Sequence, residues 1–158
     1  RHEDLRIHHE DTKTRSKKGF YGMDRGMLLR ESSLSEREEQ IGRAIVEAAY
    51  AVHSALGPGL LESIYEVCFC HELSKRGLSY CRQVMVPVTY DSITFDEGFR
   101  VDVLVEEAVI CELKAVEVMH PVFMAQLLTY LKLTGKRLGF LINFNVPVIK
   151  QGIKRVIL

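Results

Sequence analysis

The chain has 158 residues, a length that suits one domain, because a single hydrophobic core commonly spans about 100–150 residues. Hydrophobic residues make up 47% and charged residues 27% of the chain, which is the profile of a soluble globular protein and excludes disordered, collagen-like and coiled-coil chains. No apolar run approaches the roughly 20 residues of a transmembrane helix, and the first residues lack the apolar centre of a secretory signal, so we expect a cytoplasmic protein.

The charge balance limits how the protein can meet nucleic acid. Lys and Arg together number 21, as do Asp and Glu, so the net charge is zero. Residues 1–35 have a net charge of +2 and residues 36–158 have a net charge of −2. A protein with this balance does not attract DNA over its whole surface. Contact with nucleic acid therefore has to be local, or helped by a bound cation.

The first predicted segment is a tail. Residues 1–34 are polar and basic and lack sustained apolar periodicity, so we expect a disordered tail or a start-site artefact. Order should begin at Ser35, because Ser35 and Glu38 have the spacing of a capping box. Residues 35–158 are therefore predicted to form the folded domain.

Two helices open the predicted domain. Apolar residues recur at helical spacing after the capping box, namely Ile41, Ala44, Ile45, Ala48, Ala49 and Val52. The sequence Gly57-Pro58-Gly59 ends this helix. A second helix is predicted from about Leu60 to Arg76, and it stops at Gly77.

The remainder of the domain alternates strands with one helix. The predicted strands are 79–90 (interrupted at Pro87), 99–105, 109–113 and 138–143. Pro121 opens a helix through residue 133 that Gly135 closes. Residues 146–158 are predicted to be a loop with a short terminal strand or helix. The order α-α-β-β-β-α-β indicates an α/β fold in which a mixed β-sheet is flanked by helices.

The four cysteines do not form a C-x-x-C pair. Cys68 and Cys70 lie two apart in a helical pattern, where their side chains face different ways. A zinc site that combines them with His71 is one interpretation. The other is that all four, including Cys81 and Cys111, are reduced thiols, mostly buried, in a cytoplasmic protein.

The most informative segment is an acidic hairpin, residues 98–114. If the strands pair through a three-residue turn at 106–108, Asp102 lies opposite Glu112 on one sheet face, and Lys114 shares that face. Two carboxylates so close repel each other, and a divalent cation such as Mg²⁺ relieves the repulsion. Lys114 can then assist an attacking water or stabilise phosphate charge. The alternative is an exposed face of surface ion pairs, although the apolar flanking residues argue for burial.

The hairpin resembles a known nuclease pattern. Asp102 followed by Glu112-x-Lys114 resembles the D-x(n)-(D/E)-x-K motif of the PD-(D/E)XK nuclease superfamily, although Val101 stands where the superfamily often has Pro. Residues 59–65, GLLESIY, match the motif that names the GxxExxY family, which is placed in that superfamily. Residues 126–130, QLLTY, resemble the Q-x-x-x-Y element of RecB-type nuclease domains. Also similar to the GxxExxY family are residues 56–59, 96–100 and 141–145, so that the resemblance covers about residues 38–158.

The resemblance implies a restriction-endonuclease-like core and a set of residue roles. Asp102 and Glu112 would be metal ligands, and Lys114 would be the catalytic lysine. Glu62 would be a further ligand of metal or water. Two more residues, Gln126 and Tyr130, would act on the substrate from one helix face, since they are four residues apart.

Each role that the resemblance implies has a structural alternative. Glu62 could be a helix N-terminal charge that the helix dipole favours. Gln126 and Tyr130 could belong to a helix surface and core. Tyr65 could support Glu62 or simply pack, and His53 could approach the site or face solvent or core.

The sequence therefore predicts a nuclease that depends on Mg²⁺ or Mn²⁺ and hydrolyses phosphodiester bonds. DNA is favoured over RNA as the substrate, although the sequence does not decide between them. The alternative is a catalytically weak module of the same fold that binds nucleic acid, regulates or mediates interactions. By analogy with other small nuclease cores, a homodimer or a protein partner is also expected, and no contact with a membrane.

Overall fold

The computed structural model describes residues 33–158, so residues 1–32, nearly all of the predicted tail, lie outside the described residues. The described chain builds one sheet of five strands in the order β1-β2-β3-β4-β5. The strands are β1 (Tyr80–Tyr90), β2 (Ile93–Val105), β3 (Val109–Lys114), β4 (Leu138–Asn143) and β5 (Ile153–Ile157). Neighbouring strands are antiparallel except β3 and β4, which are parallel. A parallel pair needs a long crossover connection, which is usually a helix.

The described residues form the helices α1 (Glu36–Leu56), α2 (Glu62–Lys75), α3 (Pro121–Thr134) and α4 (Ile149–Gly152), and α3 is the β3–β4 connection. The predicted capping box starts α1, since the backbone N–H of Ser35 donates to Glu38 and the Glu38 N–H donates to the Ser35 hydroxyl. The helix ends at Gly57, whose φ of 67° suits a residue without Cβ. The predicted closure of α3 at Gly135 is confirmed by a left-handed C-cap.

The predicted order α-α-β-β-β-α-β is confirmed, but it is incomplete. Two elements follow β4, the single turn α4 and the edge strand β5, where the sequence predicted a loop with a strand or a helix. The predicted start of β2 at Phe99 was wrong, because the strand begins at Ile93 and pairs with β1 along a long ribbon. This part of the ribbon is exposed on both faces, so its sequence does not alternate between apolar and polar residues.

Helices cover both faces of the sheet. The larger apolar cluster joins one face to α1 and α2, and its sheet residues are Val103, Val105, Val109, Cys111, Leu113, Leu138, Phe140 and Ile142. The smaller cluster joins the other face to α3 through Val101, Ile110, Leu127, Leu131, Leu141 and Val156. Central strands β3 and β4 are thus buried on both sides, as strands of a helix-covered sheet are. Among residues 33–158, no helix is long and apolar enough to cross a membrane.

Candidate active site

The acidic hairpin has the predicted register. Val105 pairs with Val109 and Val103 pairs with Cys111. In this antiparallel register the next residues of the two strands, Asp102 and Glu112, lie opposite each other. The turn is the predicted one at residues 106–108, in which Glu106 and Glu107 have φ of 52° and 53° and the N–H of Ala108 donates to the Val105 carbonyl. The two carboxylates therefore meet at the end of the paired segment.

The side chain of Asp102 takes the place of a backbone carbonyl as the hydrogen-bond acceptor for β3. Regular pairing between β2 and β3 ends at Val103, and Oδ2 of Asp102 then accepts a hydrogen bond of 2.9 Å from the backbone N–H of Leu113. Burial raises the pKa of Asp102, while the Leu113 N–H and the charge of Lys114 oppose that rise. The hydrogen bond thus draws the carboxylate across the edge of β3 towards Glu112.

Glu112 is the most deeply buried acidic group of the described chain, at 5% exposure. Its Oε1 accepts a hydrogen bond of 2.9 Å from the Lys114 ammonium, and its Oε2 is buried with no hydrogen-bond partner. Burial, followed by the charge of Asp102, raises the pKa of Glu112 to about 7. A proton on Glu112 would let it donate to Asp102. Without that proton, Oε2 is an unsatisfied acceptor that favours a cation.

Lys114 lies at the centre of these charges. Burial alone would lower its pKa, but the hydrogen bond to Glu112 and the charges of Glu112, Asp102 and Glu62 together raise it. The ammonium also lies 5.0 Å from the ring centroid of Phe123 on α3, a cation–π distance. Lys114 is therefore held as a cation between the carboxylates and α3.

Glu62 is the first residue of α2, and the structure places it beside the hairpin. Burial raises its pKa, as does the charge of Asp102, whereas the charge of Lys114 and the nearby backbone N–H of Ala115 lower it. The helix start itself is held by Tyr65, whose hydroxyl donates to the Gly57 carbonyl at 2.6 Å and accepts from the Leu60 N–H at 3.1 Å. Tyr65 is fully buried and stacks on Phe144, so it supports the loop before Glu62 through packing and hydrogen bonding.

The two predicted residues of α3 differ in how they meet the site. Tyr130 stacks on Phe99 with ring centroids 4.2 Å apart. Burial raises the pKa of Tyr130, and the negative charges of Glu112 and Asp102 add to the rise. The Tyr130 hydroxyl is therefore close enough to these carboxylates to interact with their charge. Gln126 is half-buried one turn earlier and makes no hydrogen bond to Glu62, Asp102, Glu112 or Lys114.

Two residues that the sequence left without a role reinforce the site. Asn143 ends β4 opposite Lys114, and its amide bonds both the N–H and the carbonyl of Val116. It thereby holds the chain that follows Lys114 and includes Ala115. The other residue is Glu66, one turn after Glu62 on α2, which is buried and bonded to Arg82 and Gln83. The only sequence signal for Glu66 is a charge in a helix that otherwise buries apolar residues.

The structure does not bring His53 or the cysteines to the site as ligands. His53 is buried, and its Nε2 lies 2.7 Å from the carbonyl oxygen of Val146, so it faces the core. All four cysteines are free. Within residues 33–158, no three His, Cys, Asp or Glu side chains converge as a group that could hold a metal. The zinc interpretation of Cys68, Cys70 and His71 therefore has no support.

The carboxylates nevertheless fit a hard divalent cation. Mg²⁺ is usually held by one or two carboxylates, with waters and substrate phosphate as its other ligands, so it does not need three protein groups. Asp102 and Glu112 supply oxygen donors, and the unpartnered Oε2 of Glu112 is a buried oxygen with a free lone pair. These two residues fit such an ion, and Glu62 is close enough for the charges of Asp102 and Lys114 to act on its pKa.

Comparison with known protein families gives a match. A family model described as the PD-(D/E)XK nuclease superfamily matches residues 39–156. Nucleases of this superfamily use divalent metal ions, typically Mg²⁺. No curated protein and no solved structure matches the chain.

Proposed function

Because the chain belongs to the PD-(D/E)XK nuclease superfamily, we propose that it is a nuclease that hydrolyses phosphodiester bonds with the help of Mg²⁺ or Mn²⁺. The observation that supports this function best is the buried, unpartnered Oε2 of Glu112 beside Asp102 and Lys114. A purely structural sheet gains nothing from such an oxygen, since an unsatisfied buried acceptor costs about 1–3 kcal/mol.

Each group of the site has a task in this proposal. Asp102 and Glu112 hold the cation, and Glu62 binds it directly or through a water. When bound, the cation would lower the pKa of a water and neutralise charge on the phosphate. Lys114 places its ammonium where negative charge grows on the phosphate oxygens. Tyr130 and Gln126 contact the substrate from α3.

The finer parts of the proposal rest on chemistry around the site. We propose the GxxExxY family as the subfamily, because Gly59, Glu62 and Tyr65 supply its motif. We also propose DNA as the substrate. Four free thiols favour the cytoplasm. The small size of the core favours action as a homodimer or with a protein partner, by analogy with other small nuclease cores.

The test combines binding with cleavage. Calorimetry should detect Mn²⁺ binding to the wild-type protein and no binding to Asp102→Asn, which keeps the shape but removes the charge. The same pair is then assayed with Mg²⁺ or Mn²⁺ on single-stranded, double-stranded and branched DNA and on RNA. Cleavage by the wild type alone supports the proposal. Equal Mn²⁺ binding by both proteins would place the metal elsewhere.

A second candidate function is a catalytically weak module that binds nucleic acid or regulates. It is favoured by the ion pair between Lys114 and Glu112, which compensates part of the negative charge of the site without a metal. Such a module would bind nucleic acid with the same affinity in EDTA and in Mn²⁺ and would cleave none of the substrates. Those two results together would replace the nuclease proposal.

A further inference from the structure

Glu66 is a buried carboxylate to which the proposed reaction assigns no role. Its side chain is 8% exposed, and each oxygen has its own partner. Oε1 accepts from Nε of Arg82 and Oε2 accepts from Nε2 of Gln83, both at 2.7 Å. With both oxygens engaged, Glu66 is better suited to hold protein groups than to bind a ligand.

The two partners of Glu66 are consecutive residues of one strand. Consecutive side chains of a regular strand point to opposite faces, so they cannot normally reach one carboxylate. Here they do, because Gln83 has φ of 52°. Gln has no special tolerance for positive φ, which makes this a strained position that surrounding contacts must maintain.

The distortion lies opposite Asp102. Arg82 pairs with Val103 and Val84 pairs with Val101, so Gln83 stands across from Asp102 between these pairs. Val101 and Val103 would share a face in a regular strand, yet Val103 packs towards α1 and α2, whereas Val101 packs towards α3. The β1–β2 ribbon therefore turns over at Gln83 and Asp102.

Glu66 is also linked to the site through its position in the sequence and through its charge. It follows Glu62 by one turn of α2, so both carboxylates depend on the placement of one helix. Burial is the main cause of the raised pKa of Asp102, and the charge of Glu66 adds to the rise. Glu66 thus joins α2 to the segment of β1 that lies opposite Asp102.

We propose that Glu66 is a positioning residue that holds Arg82 and Gln83 in the distorted ribbon and so directs Asp102 towards Leu113 and Glu112. This role deepens the proposed function, on which its metal readout rests. The geometry of Asp102 can be measured without any metal. The two proposals can therefore fail separately.

The first test measures that geometry in the metal-free protein. The N–H of Leu113 bonds to Asp102, so its exchange with solvent, followed by NMR, reports the position of that carboxylate. Glu66→Ala should accelerate this exchange about tenfold relative to other amides of β3, and Gln83→Ala should accelerate it in the same direction. Asp102→Ala, which removes the acceptor, sets the largest expected effect.

Glu72→Ala is the matched control. Glu72 lies on the same helix, and its carboxylate also has two partners, Lys75 and Arg76. The control removes a comparable set of ion pairs distant from Asp102 and should leave the Leu113 exchange rate unchanged. Glu66→Gln should also stay close to the wild type, since its amide can accept from Arg82 and donate to a flipped Gln83 amide.

The second test measures Mn²⁺ affinity by calorimetry. Loss of a group that orients a metal ligand typically weakens binding 10–100-fold, so Glu66→Ala should fall in that range while Glu72→Ala and Glu66→Gln remain within about threefold of the wild type. Unchanged Leu113 exchange in both Glu66→Ala and Gln83→Ala would overturn the positioning role. Faster Leu113 exchange in a protein whose wild type binds no Mn²⁺ would uphold the positioning role and overturn only the metal site.

Discussion

The ammonium of Lys114 lies 2.9 Å from Oε1 of Glu112, two residues earlier on the same face of β3. Both side chains are largely buried, with 13% and 6% of their surfaces exposed. One cation thus compensates one oxygen of a carboxylate whose other oxygen has no partner, while Asp102 adds a second negative charge nearby. The site has more negative charge than its own lysine neutralises, and this excess has measurable consequences.

The first consequence concerns stability without metal. The pKa of Glu112 is about 7 in the folded protein and 4.5 for an ordinary glutamate, so between these values the folded state binds more protons than the unfolded state. Stability from this group is therefore present at low pH and is lost as the pH rises towards 7. Glu112→Gln lacks this titrating carboxyl. In EDTA, its melting temperature relative to that of the wild type should therefore increase as the pH rises from about 5 to about 8.

Thermal melts of both proteins across that range provide the measurement. Glu106→Gln is a useful comparison, because a hydrogen bond from the Ser79 N–H lowers the pKa of Glu106 below the ordinary 4.5. Glu106 is therefore ionised in both the folded and the unfolded state across that range, and this variant should differ from the wild type by a constant amount. A constant difference in melting temperature between Glu112→Gln and the wild type would show that Glu112 titrates as an ordinary glutamate.

The second consequence is competition between a proton and the metal. Mn²⁺ must displace the proton that Glu112 holds near neutral pH. With a pKa of about 7, the apparent Mn²⁺ affinity should be roughly tenfold weaker at about pH 6 than at about pH 8. Calorimetry in two buffers of different ionisation enthalpy should also detect about one proton released per ion bound at the lower pH. An affinity that does not change with pH would exclude Glu112 as the titrating ligand.

The elements that the sequence predicted well are those with strong local signals. The start of α1 depends on Ser35 and Glu38, which contact each other directly, and β4 is a run buried at every position. The register of the hairpin followed from the turn at 106–108, because the turn length determines which residues face each other. The sequence alone was therefore enough to predict that Asp102, Glu112 and Lys114 share one face.

What the sequence missed depends on distant contacts. The first half of β2 has exposed apolar residues such as Ile93 and Phe95, which bury too little surface to give a pattern. Glu66 reads as one more helix charge until Arg82 and Gln83 of β1 are seen on its two oxygens. The positive φ of Gln83 has no sequence signal either, since tertiary contacts impose it.

Tyr65 offers a test of how the loop supports Glu62. Its hydroxyl is the partner of the Leu60 N–H and the Gly57 carbonyl. Tyr65→Phe keeps the stacked ring but leaves both backbone groups without that partner, which should lower the free energy of unfolding by about 1–3 kcal/mol. Because Glu62 follows this loop, Mn²⁺ affinity should fall as well, by up to about tenfold.

Urea unfolding and calorimetry measure the two effects of Tyr65→Phe. Tyr80→Phe is the matched control, since the Tyr80 hydroxyl accepts only a long, exposed hydrogen bond of 3.5 Å from Ser74. This control should change neither quantity. If Tyr65→Phe lost stability with unchanged Mn²⁺ affinity, the role of the Tyr65 hydroxyl would be limited to stabilising the loop and would not extend to Glu62.

The last prediction concerns Lys114 and separates catalysis from structure. As a cation, Lys114 does not ligate a metal, so Lys114→Ala should retain Mn²⁺ binding and most of its affinity for nucleic acid. Lys114 is proposed to stabilise the negative charge that develops in the transition state, and such interactions act on kcat rather than on binding. The cleavage rate should therefore fall by on the order of 10²–10³-fold, as for the loss of one preorganised donor.

Single-turnover cleavage and a thermal melt of the same variant distinguish the two roles of Lys114. Lys114→Met is a second variant that keeps the apolar stem beside Phe123, so that lost packing does not account for a lost rate. Lys75→Ala, which breaks an exposed ion pair with Glu72, should leave the rate unchanged. A structural ion pair at Lys114 predicts lower stability and a normal rate. That result, in a protein whose wild-type cleavage has been established, would remove Lys114 from the mechanism.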